Sequence, residues 1–295
     1  TPGVRFDQYE MDPNGALKTD GEAFKKFDEN HTSFNIAGLY KINDKLAAFA
    51  QYGQGFKVPA YDLAYIEHYN QATSTYIYEV VPSDDLSPEE SDSYEIGLRG
   101  HIGNMAFSTA AFYSKYDNFL STVLIESNNV VDENGDFLYQ HDTFQYQNLD
   151  AVTIKGVEFG MTYYFDNNMA FFANAAYQDG KDDETDDYIT SISPLSGTAG
   201  INYEGEKFST ELIVNWADRM DKVNDGKQEI AGYASVDWLF NYELDAGLVF
   251  NLSVTNLLDK EYVRYSNAAG HDEDSSLENL AEPGRSFAFN LNYSF

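Results

Sequence analysis

Apolar and polar residues alternate with a period of two along most of this chain. The last ten positions show it most cleanly. Phe287, Phe289, Leu291, Tyr293 and Phe295 interleave with Ser286, Ala288, Asn290, Asn292 and Ser294. Successive side chains of a strand point to opposite faces, so this spacing predicts a strand with one apolar face and one small or polar face. The same alternation recurs in Leu248–Val254, Val236–Tyr242, Phe208–Trp216, Tyr94–Leu98 and Phe34–Tyr40. About twelve strands are predicted, near 2–10, 32–42, 45–55, 91–102, 104–116, 152–165, 168–178, 196–204, 207–218, 231–243, 246–257 and 286–295. Most run to about ten residues, the length of a tilted strand crossing a bilayer. The 104–116 segment is the least regular, because Phe107 and Phe112 fall on opposite faces.

The connections carry a second pattern. Short turns at Asn43-Asp44, Gly103, Asp166-Asn167, Gly205-Glu206 and Asp245 alternate with long loops near 11–31, 56–90, 117–151, 179–195, 219–230 and 258–285. Antiparallel neighbours joined this way make a wall with two unlike rims, the plan of an outer-membrane barrel. Aromatics gather near strand ends, as in Tyr163-Tyr164-Phe165, where an interfacial girdle belongs. A soluble β-sandwich stays open at this point, since its apolar face packs inward and its loop lengths need not alternate.

Composition narrows the picture. Aromatic residues make up 16% of the 295 positions, which argues for an ordered chain despite a net charge of −31. Strong acidity argues against nucleic acid as a partner. Cysteine is absent, which removes disulfides, thiolate metal sites and a cysteine nucleophile. No apolar run is long enough for a transmembrane helix. Thr1-Pro2-Gly3 is not a natural start, so the chain reads as a mature or truncated piece.

The longest stretch without strand or helix period is Phe56 to Pro88, and loops of that length inside ordered domains are usually functional or disordered. It holds Pro59, Tyr61, Tyr65, His68, Tyr69, Gln71, Tyr76 and Tyr78. Neutral imidazole ligates haem iron well, tyrosinate ligates ferric iron, and aromatic rings stack on a porphyrin. A loop histidine is ordinarily solvated, which is the expectation for His31, His141 and His271; His101 falls in a tight turn. The acidic runs Asp182-Asp183-Glu184, Asp186-Asp187 and Asp272-Glu273-Asp274 offer oxygen ligands without EF-hand spacing, so solvated rims are expected there. No nucleophile-elbow, zinc-helix or phosphate-loop motif is present, and the chain reads as no enzyme.

Five stretches carry a family resemblance. Gly55-Phe56-Lys57-Val58-Pro59-Ala60 resembles an F-R/K-x-P box. Pro82–Glu89 followed by Ser91–Gly97 resembles an N-P-D/N-L-x-P-E-x-S-x-x-x-E-x-G segment, with Ser83 and Asp84 departing from it. Tyr146-Gln147-Asn148 with Ile154–Glu158 resembles a Y-x-N…G-x-E strand entry. Val254–Tyr262 is similar to N-L-x-D-x-x-Y, and Pro283-Gly284-Arg285 precedes a closing strand that ends in Phe295. In this order they resemble TonB-dependent outer-membrane receptors, most closely the haem, haemoglobin and transferrin-type branch.

The resemblance implies an all-β, transmembrane antiparallel barrel in a Gram-negative outer membrane. Residues 1–295 would be about the last twelve strands of a 22-stranded barrel, with the plug domain and TonB box upstream; closure of the twelve on themselves is the alternative. It implies import of an iron-containing ligand, haem taken from a haemoprotein, with no covalent cofactor and with energy from the TonB–ExbB–ExbD complex through the plug. It makes His68 the candidate axial ligand, and Phe56, Pro59, Tyr65, Tyr69, Tyr76 and Tyr78 the ligand-contact loop. Asn256, Asp259, Tyr262, Gly284, Arg285 and Phe295 become the barrel motif. A ferric-siderophore receptor is the alternative, contacted through residues such as Tyr61, Tyr65 and Gln71, and a non-transport barrel such as an adhesin or porin is a third reading.

Overall fold

The computed structural model describes residues 1–83, 86–244 and 247–293, with the side chain of Asp150 outside the description. Asp84, Asp245, Ser294 and Phe295, each named in the sequence, therefore lie outside the described residues. Fourteen strands form one sheet among the described residues. They are β1 (Pro2–Met11), β2 (Phe27–Asn43), β3 (Leu46–Lys57), β4 (His68–Asn70), β5 (Tyr76–Val81), β6 (Glu89–Ile102), β7 (Met105–Val131), β8 (Phe137–Tyr164), β9 (Met169–Asp182), β10 (Ser196–Glu204), β11 (Phe208–Ala217), β12 (Tyr233–Leu244), β13 (Leu248–Thr255) and β14 (Ser286–Tyr293). Short helices occupy Tyr61–Tyr65 (α1) and Tyr265–Ala268 (α2).

Twelve of these strands form the predicted meander, in the order β1-β2-β3-β6-β7-β8-β9-β10-β11-β12-β13-β14. Every neighbouring pair in it is antiparallel. β1 and β14 each have one paired neighbour, so the sheet is open and the twelve strands do not close on themselves. Among the described residues short turns and long connections alternate as expected, except between β7 and β8.

Two expectations change. Residues 117–151 are mostly not a loop: β7 and β8 run on as one hairpin to a tip at 132–136. At that tip Asp132 accepts backbone N–H bonds from Asn134 and Asp136 at 2.8 and 2.9 Å, which holds its carboxyl below the usual range. The Phe56–Pro88 stretch is also not structureless, since it contains α1, β4 and β5. β5 pairs in parallel with β8, from Tyr76↔Gln140 to Val81↔Gln145.

Register separates the two faces of the meander. Rows such as Ile36, Tyr52, Tyr94 and Tyr113, or Leu212, Trp238 and Val254, share the apolar face. Phe287, Phe289 and Leu291 on that face are 53–70% exposed. Leaving such a side chain in water forgoes roughly 1.5–3 kcal/mol, so this face calls for an apolar cover. The other face is concave and polar, and its side chains bond across strands. Gln51 donates to Glu95 at 2.6 Å, Asn215 to Asp237 at 2.9 Å and Asn241 to Ser209 at 3.1 Å.

Three phenylalanines on the concave face lie over directly paired glycines: Phe49↔Gly97, Phe112↔Gly156 and Phe172↔Gly200. A Cβ on Gly97 would sit 2.4 Å from the Phe49 ring and 2.4 Å from the Thr109 carbonyl oxygen. These pairs let bulky rings lie flat against the sheet and keep the concavity open.

Buried apolar side chains collect beneath the long connections rather than inside the sheet. Met11, Phe27, Ala64, Tyr65 and Leu86 form one cluster, Met220, Ile230, Tyr265 and Ala268 a second, and Val152, Ile189 and Ile192 a third. The long-loop rim is therefore a packed layer in its own right.

Candidate functional site: an aromatic flap at the long-loop rim

β5 extends the β7–β8 hairpin on the far side from β7, and β4 folds back beside it, with His68↔Val80 and Asn70↔Tyr78. Alternation then sorts the side chains. One face presents His68, Asn70, Tyr76, Tyr78, Asp142 and Phe144; the opposite face presents Tyr69, Glu79, His141 and Thr143.

On the first face the His68 and Tyr78 rings are 5.8 Å apart, and Tyr78 meets Phe144 edge-on at 6.4 Å. Asn70 donates to the Tyr78 hydroxyl at 3.0 Å. The Tyr76 hydroxyl donates to Asp142 Oδ2 at 3.1 Å, while Ser127 and Gln140 donate to Asp142 Oδ1 at 2.6 and 2.9 Å. Burial and then the Asp142 carboxylate push the Tyr76 phenol up to about 12. Burial of Asp142 opposes its ionisation, but the donors from Ser127, Gln140 and Tyr76 outweigh it and hold the carboxyl below its ordinary value.

On the second face Tyr69 meets His141 edge-on at 6.3 Å, and His141 Nε2 lies 3.5 Å from Glu79 Oε1. That nitrogen is closed to water without a hydrogen-bond partner. Thr143 donates to the same Glu79 oxygen at 3.1 Å. His141 is thus seated in the flap, not solvated as a loop histidine would be. His31 also departs from that expectation: its ring stacks on Phe56 at 4.4 Å, with Nδ1 3.4 Å from Glu90. His271 Nδ1 lies 3.1 Å from the Ala268 carbonyl oxygen.

The remaining loop residues split by environment. His68 and Tyr69 are exposed. Tyr65 is buried in the cluster with Met11, Phe27 and Leu86, and its hydroxyl donates to the Lys25 carbonyl at 2.6 Å. Pro59 is fully buried. In the acidic run after β9, Asp182 is buried and accepts N–H bonds from Glu184 and Thr185 at 2.8 and 2.9 Å, so it shapes its own turn.

The N-L-x-D-x-x-Y stretch forms a knot where β13 leads towards β14. Asn256 and Asp259 both adopt left-handed backbone, at φ of 50° and 55°. The Asn256 carboxamide donates to the carbonyls of Lys260 and Pro283 at 2.8 and 3.2 Å and accepts from Lys260 N–H at 2.8 Å. Asp259 Oδ1 accepts from Arg285 N–H at 2.8 Å, and a Cβ on Gly284 would fall 2.9 Å from that oxygen. Tyr262 stacks on Tyr233 at 4.2 Å.

A two-faced antiparallel meander with tight turns at one rim and a packed, aromatic rim at the other is the wall of a β-barrel receptor. The chain matches the family described as "TonB dependent receptor-like, beta-barrel" over residues 1–257, and it belongs to that family. It is 22% identical to a probable haemoglobin and haemoglobin-haptoglobin-binding protein 4 of Haemophilus influenzae, over 89% of this chain and 29% of the relative. It is 26% identical to the vitamin B12 transporter BtuB of Photobacterium profundum, over 84% of this chain and 37% of the relative. The chain thus spans about a third of the length of these relatives. Among solved structures it superposes on the copper transporter OprC with a TM-score of 0.77 at 20% identity, over 100% of this chain and 45% of that one. At that identity the likeness supports the fold alone.

Proposed function

We propose that this chain is the C-terminal part of the barrel of an outer-membrane, TonB-coupled receptor that binds and imports an iron-containing ligand, haem first among them. The observation that carries the reading is the flap. It brings imidazoles of His68 and His141 and phenols of Tyr69, Tyr76 and Tyr78 to one rim. Imidazole and phenolate are ligands for haem iron, and the flanking rings suit a macrocycle. The apolar face of the sheet supports a lipid setting, and the family supports energy transfer through a plug and the TonB complex. No bond of the ligand is made or broken in this mechanism.

His68, exposed beside Tyr78, is the proposed axial ligand, and His141 is a second imidazole on the opposite face of the flap. Haemin titration of the full-length receptor tests this. A Soret shift is expected for the native protein and its loss for His68→Ala; an unshifted band in the native protein, or the same band and affinity in the variant, removes His68 from the account. The exposed Tyr61 and Tyr69 favour a ferric siderophore as the second reading, since aromatic contact with a bulky chelate needs no imidazole. Uptake of a ferric siderophore that persists in His68→Ala/His141→Ala would select it.

A further inference from the structure

The apolar face carries a depth mark of its own. Tyr113, Lys155 and Asp179 stand side by side on β7, β8 and β9. Tyr177 lies one outward-facing position nearer the short turns than Asp179. Trp216 of β11, level with Gly197 and Ala175, lies one position nearer again. Tyr113, Tyr177 and Trp216 therefore step down once for every two strands, as a girdle of constant depth must on strands tilted by roughly 35–45°. On the short-turn side of this line the face is apolar, with Val157 and Phe159 exposed. On the long-loop side it turns charged, through Asp92, Lys115 and Lys181.

Acids outnumber bases 49 to 18 in the sequence, but around Asp179 the ratio inverts. Lys155 Nζ lies 4.0 Å from one Asp179 oxygen, and Lys222 contacts the other. Two ammoniums thus share one carboxylate and leave a positive charge. That carboxylate is mostly covered, at 15% side-chain exposure, while Lys155 is 61% exposed. Lys222 donates to the Tyr177 hydroxyl at 2.7 Å and lies 5.1 Å from the ring centroid, which leaves the phenol proton for another acceptor. The other acids on this side are engaged further up the rim. Asp92 accepts from the Tyr52 hydroxyl at 2.5 Å and Asp183 from Thr153 at 3.0 Å. Asp117 lies 3.3 Å from Lys115 and Asp186 2.7 Å from Lys181. In the connection that carries Lys222, Asp218 caps the Arg219 N–H at 2.8 Å and Asp221 is exposed.

We propose that Lys155, Lys222 and Tyr177 bind the phosphate headgroup of a membrane lipid in the leaflet on the long-loop side, with its acyl chains on Val157 and Phe159. Charge complementarity and continuity identify the occupant. Tyr177 pairs directly with Val157, so cations and a phenol O–H pass into apolar surface within one position, and an amphiphile with an anionic head matches both. Lysine stems lie along apolar surface and hold their ammoniums in the headgroup layer, where a phosphate attracts them more strongly than in bulk water. β8 and β9 are paired on both sides within this chain, and the site faces away from the concavity, so neither a plug nor further barrel strands would fill it. The inference rests on the bilayer setting of the apolar face and not on the ligand at the flap.

Native mass spectrometry of the full-length receptor in detergent tests it with three probes: phosphatidic acid, diacylglycerol with the same chains, and inorganic phosphate. A saturable phosphatidic acid adduct is expected, with diacylglycerol at least about tenfold weaker and inorganic phosphate unable to displace the lipid. Lys155→Gln should weaken the adduct about fivefold, Lys155→Gln/Lys222→Gln at least about tenfold, and Lys155→Arg by no more than about twofold. Heat-modifiable gel mobility confirms folding; if the double variant misfolds, Lys155→Gln alone is read. Equal binding of phosphatidic acid and diacylglycerol, or equal affinity in native and Lys155→Gln protein, overturns the proposal. So does displacement by inorganic phosphate, which would make this a site for a soluble anion. No outcome alters the haemin titration at the flap, so the two readings fail separately.

Discussion

Gly97→Ala tests how the concave face is built. The added methyl would lie 2.4 Å from Phe49 Cζ and 2.4 Å from the Thr109 carbonyl oxygen. Ordinary carbon contacts are about 3.5–4.0 Å, so both neighbours are more than an ångström too close. The ring can swing away; the carbonyl is fixed in the β6–β7 ladder. Overpacking of this kind costs about 1–3 kcal/mol, and replacing a strand glycine by alanine returns roughly 0.5–1. The net loss is therefore ~1–2 kcal/mol. In a Phe49→Ala background only the Thr109 clash remains, so the cost of Gly97→Ala is expected to fall by about 1 kcal/mol, a measurable coupling. Urea unfolding of the full-length receptor in vesicles, followed by fluorescence of Trp216 and Trp238, reads all four members of the cycle. An unchanged or raised midpoint for Gly97→Ala, or the same cost in both backgrounds, would refute the view that the ring needs the bare backbone.

Other expectations follow from the rim. The depressed Asp142 carboxyl stabilises the flap above the unfolded Asp value of about 4, and that contribution is lost as pH falls through its lower folded value. The raised Tyr76 phenol stabilises it below about 10, an effect lost as pH rises towards about 12. Hydrogen exchange at 76–81 is therefore expected to quicken at both extremes, and Asp142→Asn should abolish the acid limb. Asn256→Ala removes three hydrogen bonds and places a methyl at φ 50°; a loss of about 2–4 kcal/mol in urea unfolding is expected, with Asp259→Ala costing less. Lys222 donates to the Tyr177 hydroxyl at 2.7 Å and contacts Asp179, which raises its ammonium well above the usual lysine value. Lys222→Gln should free the 218–232 connection, read as faster proteolysis there.

The wall was legible because strands such as Ser286–Tyr293 alternate apolar and small or polar side chains between their two faces. The upper halves of β7 and β8 were not, since Glu126, Asn128 and Asn129 stand among apolar residues without alternation and the hairpin is exposed on much of its length. β5 escaped for another reason: its partner lies far along the chain, and no local period marks a parallel pairing. His141 looked like any loop histidine because Glu79 and Tyr69 reach it only through that pairing. The knot at Asn256 and Asp259 was readable, since residues that tolerate left-handed backbone carry their own capping groups.

The parallel β5–β8 pairing also fixes an order of events. Tyr76 bonds to a strand whose matching residue, Gln140, arrives only after two further strands have been laid down. Closing so long a loop brings no reward until both partners exist. The flap must therefore form late, on a hairpin already in place, and its six-residue ladder is among the cheapest parts of the molecule to undo. Release of β4 and β5 would uncover the His141 imidazole while leaving every strand of the meander paired. The flap can thus open on the timescale of local unfolding without loosening the wall that carries it.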